Sequence, residues 1–154
     1  MRAIIQRVSN AHVSIEGTVV GSCGTGFLIL LGVAQDDTEE EVERLWQKIF
    51  KLRIFPDGDK PTGASLADIG GEVLIISQFT LYADCRKGNR PSFTQAGDPE
   101  KSSLLYELFV ARAKRDLEHV ACGEFGADMQ VSLVNDGPFT IALDTDELKR
   151  PRHK

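Results

Sequence analysis

The sequence predicts an α+β fold: a single β-rich domain with a mixed or mostly antiparallel sheet and two main helices. Three observations predict it. Two segments carry apolar residues at helical spacing, among six or more segments with strand patterning. Their order shows no regular strand–helix–strand alternation, and neither GxGxxG nor GxxxxGK[ST] occurs, so nucleotide-binding folds are disfavoured. Finally, 154 residues with 42% hydrophobic side chains suffice for one core. A chain of this length buries roughly 70% of its unfolded surface without disulfide or metal staples.

In the first third, Ala11-His12-Val13-Ser14-Ile15-Glu16 alternates apolar with polar residues, the period of a half-buried strand. Glu16-Gly17 makes a tight turn into Thr18-Val19-Val20, and His12 falls on the polar face. Gly26-Phe27-Leu28-Ile29-Leu30-Leu31-Gly32-Val33 is apolar at both parities, which suits a central strand covered on both faces. Thr38 and Glu41 then stand at capping-box spacing, within an acidic run suited to the positive end of a helix dipole. Val42, Leu45, Trp46, Ile49 and Leu52 follow at helical spacing. The acidic run is therefore a helix start rather than a metal site, and Trp46 belongs to the core.

Residues 56–71 read as a loop rich in Gly and Pro. Val73-Leu74-Ile75-Ile76 is a second strand buried on both faces, reading on through Ser77-Gln78-Phe79-Thr80-Leu81-Tyr82. After a polar, basic loop over residues 84–97, Asp98 supplies an N-cap and Pro99 the first helical position. Leu104, Leu105, Leu108, Phe109 and Ala111 make the apolar face of that helix. The chain then returns to strand: Met129, Val131 and Leu133 alternate with Gln130 and Ser132, and Phe139, Ile141 and Leu143 do the same beyond an Asn135-Asp136-Gly137-Pro138 turn. Residues 1–145 make one domain and residues 146–154 a charged tail, and the final ten residues, 145–154, are expected to fray.

Composition narrows the function classes. With 18 basic and 23 acidic side chains the net charge is −5, which argues against a general nucleic-acid coat protein but not against a local contact. Two basic clusters stand out: Arg86, Lys87 and Arg90, and Lys149, Arg150, Arg152 and Lys154. The N-terminus carries charge within its first apolar run, unlike a secretory signal. The longest apolar run, residues 26–34, is far short of the ~20 residues a membrane helix needs. Cys23, Cys85 and Cys122 are widely spaced with no CxxC pair, so the reading is free thiols in a reducing, cytoplasmic compartment. His12, His119 and His153 adjoin no cluster with metal spacing, so no metal and no cofactor are expected. There is no G-x-S-x-G elbow, and Cys85 has only the neighbouring Arg86 and Lys87 to suggest a nucleophile.

Two segments carry candidate chemistry. In Ser77-Gln78-Phe79-Thr80, polar groups emerge where a buried strand ends, a pocket floor whose free backbone N–H groups could stabilise an oxyanion. In Asn135-Asp136-Gly137-Pro138-Phe139-Thr140, Asp-Gly would ordinarily signal a type I′ hairpin, but Pro138 disfavours that conformation in Gly137. Gly137 and Pro138 together present two carbonyls and one N–H, a pattern suited to accepting hydrogen bonds from an ammonium group. No strong general base is apparent, so hydrolysis here would rest on positioning, oxyanion stabilisation or a group of the substrate.

At these segments the sequence resembles the D-aminoacyl-tRNA deacylase family. Ser77-Gln78-Phe79-Thr80-Leu81 is similar to its S-Q-F-T-L motif, and Asn135-Asp136-Gly137-Pro138-Phe139-Thr140 to its N-x-G-P-[VF]-T motif. Gln6-Arg7-Val8, Arg90-Pro91-Ser92-Phe93 and Phe125-Gly126-Ala127-Asp128-Met129 match in order along nearly the whole chain. Residues 60–66 depart from the family pattern, and Arg152-His153-Lys154 has no counterpart role. The resemblance implies a homodimer of compact, barrel-like subunits with active sites at the interface and no membrane association. It implies a cis Gly137–Pro138 peptide reaching into the partner's site, its carbonyls excluding an L side chain. Phe79 and Thr80 would offer backbone N–H groups to the ester carbonyl, Ser77 and Gln78 would shape the pocket, Met129 would line it, and Arg7 would brace the Gly-Pro loop. The implied reaction is hydrolysis of the ester joining a D-amino acid, or glycine, to the 3′ end of tRNA. Thr80 is a conceivable nucleophile without a base, so water assisted by the tRNA 2′-hydroxyl is preferred. The readings from other classes are a catalytically silent RNA- or protein-binding module and a small-molecule amidase or esterase.

Overall fold

The computed structural model describes residues 1–152; His153 and Lys154, counted above in the tail, lie outside the described residues. One long strand organises the molecule. β1 (Arg2–Ile15) pairs along one edge with β8 (Gln130–Asp144), antiparallel. Along its other edge it pairs first with β3 (Gly26–Gly32) and then with β2 (Thr18–Cys23), both antiparallel. The β1–β2 turn has positive φ at Glu16 (50°) and Gly17 (81°), the two-residue geometry that matches strand twist. β6 (Glu72–Ser77) adds in parallel to β3, and β7 (Val120–Cys122) in parallel to β6. The result is a six-stranded mixed sheet, nearly closed into a barrel, where His119 Nε2 next to β7 lies 2.9 Å from the Ser22 carbonyl of β2.

β3 and β6 show why both parities had to be apolar. Phe27, Ile29, Val73 and Ile75 face one core, which is filled by Trp46, Phe109 and Leu45 from the helices. Leu28, Leu74 and Ile76 face a second core inside the sheet, with Val8, Val13 and Cys23. Burial and the nearby Glu72 push the Cys23 thiol up to about 11, which makes it inert. Gly26 is the point of closest approach: a Cβ there would sit 1.7 Å from the Glu72 carbonyl oxygen.

α1 (Glu39–Lys51) begins with the expected Thr38–Glu41 capping box and buries Val42, Leu45, Trp46 and Ile49. α3 (Pro99–Asp116) is capped by Asp98, whose carboxylate accepts from the Lys101 N–H. Its buried face is Ser102, Leu105, Tyr106, Phe109, Val110 and Ala113. Leu104 and Ala111, assigned to that face from sequence, are exposed. The two lie beside the correct stripe, and a nearly continuous apolar stretch does not by itself select the helix face.

Four further expectations change. The 56–71 loop contains a small hairpin, β4 (Phe55–Asp57) with β5 (Lys60–Ala64), and a short helix α2 (Leu66–Ile69) with a Ser65–Asp68 capping box. The strand through Val73 does not run on to Tyr82: it stops at Ser77, and Phe79–Tyr82 is a 3₁₀ turn. The segment around Gly137 is no reversal between two strands but an excursion from one continuous strand. The end expected to fray begins with α4 (Thr145–Lys149), held by the buried Thr145 and by Lys149 Nζ 2.5 Å from Glu41 Oε1. Among the described residues, no helix is long and apolar enough to cross a membrane.

Candidate functional site

At the end of β6 the backbone turns sharply. The Gln78 N–H donates to the Leu31 carbonyl at 2.7 Å, its last tie to the sheet, and the 3₁₀ turn follows. The first amides of any helix have no partner within it. Those of Phe79 and Thr80 have no acceptor among the described residues. The free N–H groups inferred for a strand end thus exist, but a helical turn supplies them. The strand expected to run through Gln78 and Thr80 would place both on one face; here the helical turn sets their positions instead, and the Gln78 amide donates to Thr80 Oγ1 at 2.5 Å.

Beside this turn lies a cavity of about 580 Å³, mainly apolar in lining. Ser77, Gln78 and Phe79 form one side, Phe93, Ala96 and Gly97 come from the basic loop, Pro99 and Ser102 from the first turn of α3, and residues 125–129 close it, with Met129 among them. Met129 packs against Gly123, where a Cβ would lie 2.4 Å from its sulfur. The Tyr106 hydroxyl, buried beneath this wall with its pKa pushed up by burial, donates to the Ile75 carbonyl at 2.7 Å. Ala96, Gly97, Pro99 and Ser102 were not anticipated from sequence. Asp98-Pro99 marks a helix start, but nothing in one dimension says which strand end that start will face.

Ser77, Gln78, Phe79 and Met129 therefore come together at one cavity. Thr80 is next to it but is not part of its wall, and Arg7, Gly137 and Pro138 lie elsewhere. β8 pairs with β1 at Val8↔Asn135 and resumes at Gln6↔Thr140. Residues 136–139 are thereby looped out opposite the single residue Arg7. Gly137 and Pro138 are exposed, and the peptide bond between them is cis. The buried Arg7 guanidinium donates to the carbonyls of Ile54 (2.6 Å), Asp136 (3.1 Å) and, more weakly, Gly137 (3.4 Å). It also pairs with the Asp136 carboxylate at 3.2 Å and lies over the Phe139 ring at 4.5 Å. Asn135, which the sequence reading left without a role, donates through Nδ2 to the carbonyls of Arg7 and Phe139 and closes the base of the excursion.

Known proteins share this arrangement of chain. A D-aminoacyl-tRNA deacylase of Clostridium botulinum (strain 657 / Type Ba4) is 52% identical over 145 residues, covering 94% of this chain and 97% of that protein. A protein of the same description from Thermosipho africanus (strain TCF52B) is 53% identical over 148 residues, 96% of this chain and 99% of its own. Among solved structures, the c-Myc DNA Unwinding Element Binding Protein superposes with a TM-score of 0.88 at 38% identity, covering 94% of this chain and 98% of that one. A probable eukaryotic D-amino acid tRNA deacylase shares the fold, with a TM-score of 0.80 at 19% identity over 92% of this chain and 97% of its own. The sequence model of the family described as D-Tyr-tRNA(Tyr) deacylase matches residues 4–144, and the chain belongs to that family.

Proposed function

We propose that the protein is a D-aminoacyl-tRNA deacylase that hydrolyses the ester between a D-amino acid, or glycine, and the terminal ribose of tRNA, as a cytoplasmic homodimer and without a metal. The observation that carries the reading is the pair of unpartnered amides, Phe79 and Thr80, beside an apolar cavity in a chain of this family. An ester carbonyl held there gains two hydrogen bonds as its oxygen becomes an oxyanion, the kind of stabilisation that strengthens in the transition state. Water attacks the carbonyl carbon, the bond to the ribose oxygen breaks, and the leaving oxygen takes up a proton. The neighbouring 2′-hydroxyl of the tRNA assists; the Thr80 hydroxyl, which accepts from the Gln78 amide and has no base among its hydrogen-bond partners in the described residues, is not the nucleophile.

Chirality is read by exclusion. In this reading the exposed Gly137–Pro138 excursion of one subunit enters the cavity of the other, with its carbonyls toward the substrate's α-carbon and amine. An L side chain would collide with them, whereas a D side chain points away. Its support is the rigid hold of Arg7 and Asn135 on an excursion that takes no part in its own cavity. Ser77 and Gln78 shape the pocket and Met129 lines it.

The test is a deacylation time course on D-tyrosyl-tRNA and L-tyrosyl-tRNA with and without chelator, beside a sedimentation measurement of mass. Loss of only the D ester, unaffected by chelator and by a dimer, is the expected result. Equal cleavage of both esters would overturn the exclusion mechanism. No cleavage by folded protein would favour a binding module, the property that the 38% identical protein carries in its name.

A further inference from the structure

Deacylation accounts for the terminal aminoacyl group but leaves the rim of the cavity unexplained. Phe79 and Phe93 remain 57% and 36% exposed, their ring centroids 5.1 Å apart at 72°. Adjacent exposed aromatic rings at a cavity mouth mark a surface that something covers. Phe93 follows a loop tied at its neck, where the Asp84 N–H donates to the Ser92 carbonyl at 2.7 Å and the Ser92 N–H to the Asp84 carbonyl at 2.9 Å. The projecting residues 85–91 carry three cations of unequal standing. Arg86 is neutralised by the Asp84 carboxylate at 2.7 and 2.9 Å, which holds that carboxyl down at about 2. Lys87 and Arg90 are exposed and have no carboxylate within 4.0 Å among the described residues.

We propose that Phe93, Lys87 and Arg90 form a subsite for single-stranded RNA, holding the nucleotides immediately 5′ of the terminal nucleoside. The inference rests on the deacylase reading and extends it along the substrate. Unstacked bases find π faces to stack on, and their phosphates are matched by cations at the same rim. A second copy of this chain is the rival occupant. The part of a second copy proposed to reach this cavity, the Gly137–Pro138 excursion, carries one carboxylate, Asp136, already paired with Arg7, so its entry leaves both cations to an anionic partner.

The experiment compares two esters, D-tyrosyl-tRNA and 3′-O-D-tyrosyl-adenosine, which lacks every nucleotide 5′ of the last. The proteins are wild type, Phe93→Leu and Lys87→Gln/Arg90→Gln. For Phe93→Leu, KM on the tRNA ester should rise roughly tenfold. For the double variant, the salt dependence of log KM should flatten by about 1.4, at ~0.7 per phosphate contact on a single strand. Both variants should lose less on the adenosine ester than on the tRNA ester, the double variant at least fivefold less. Equal losses on the two esters, no loss at all, or a fall in dimer mass for Phe93→Leu would overturn the subsite. If wild type cleaves neither ester, the deacylase reading fails. The subsite then stands or falls by fluorescence anisotropy with a labelled RNA oligonucleotide ending in CCA. Binding weakened by Lys87→Gln/Arg90→Gln would sustain it, and absent or unchanged binding would overturn it.

Discussion

Replacing Arg7 by lysine keeps the charge and removes the planar fork, so it separates electrostatics from geometry. The side chain is buried, only 8% of it exposed, and it serves three carbonyls from two segments of chain. Lysine can retain one of them. The bond to Ile54 at 2.6 Å is short and buried, and a charge-assisted bond of that kind is worth about 1.5–3 kcal/mol. The 3.4 Å contact to Gly137 contributes little, and the pairing with the half-exposed Asp136 carboxylate is screened by solvent. Stacking over Phe139 adds about 1 kcal/mol. Where the ammonium stays with the excursion and the Ile54 carbonyl is left without its donor, a net loss of about 3 kcal/mol follows, which lowers Tm by roughly 6–12 °C in a domain of this size. The measurement is thermal unfolding at fixed protein concentration, which holds constant any contribution of the proposed dimer to stability. Below the transition, kcat/KM on D-tyrosyl-tRNA should fall about 100-fold, the cost of misplacing a positioning group by ~1 Å. Wild-type Tm and wild-type rates in Arg7→Lys would refute the clamp.

Other expectations follow from single contacts. The Glu41 carboxyl lies at about 2, against an ordinary value of 4.5: burial pushes it up, but hydrogen bonds from Lys149 and Thr38 outweigh burial. Its folded value is depressed, so the stability it contributes is complete above about pH 4.5 and is lost as pH falls toward 2. Glu41→Gln should therefore melt several degrees below wild type at pH 7, with the gap closing between those two values in a pH series. Thr80→Ala should keep much of the deacylase activity; complete loss in a protein with native circular dichroism would restore the hydroxyl as nucleophile. Gly26→Ala places a methyl group 1.7 Å from the Glu72 oxygen and should prevent β3 from pairing with β6, read as insoluble or unfolded protein. A panel of D-aminoacyl-tRNAs should all be cleaved, since the proposed contacts are to backbone and amine; one cleaved ester among several ignored would contradict that.

Local patterns were legible wherever a residue's environment is set by its neighbours in sequence. The Thr38–Glu41 box, the Asp98-Pro99 start, the Glu16-Gly17 turn and the doubly apolar strands all rest on short-range spacing, and all are present. The misplaced features share one cause. The stop at Ser77 and the outward face of Leu104 depend on what the rest of the chain leaves uncovered. The continuity of β8 through Gly137 depends on β1 lying alongside, ready to pair on both sides of the excursion. A sequence shows a Gly-Pro break in either case.

Three things follow from residue order with no coordinates at all: the α+β class, the burial of β3 and β6 on both faces, and the two segments that carry the family's motifs. How those segments are used is a matter of three-dimensional packing. Folding gathers Ser77, Gln78, Phe79 and Met129 around one cavity while leaving Gly137 and Pro138 outside it. It sets Arg7 at the register position where β8 loops out, because a guanidinium buried there finds three carbonyls that no spacing rule connects. Range explains the difference. Caps and periodicity are satisfied within a few residues, whereas a buried cation and an apolar cavity are satisfied only by groups from distant parts of the chain, 47 to 130 residues away for Arg7.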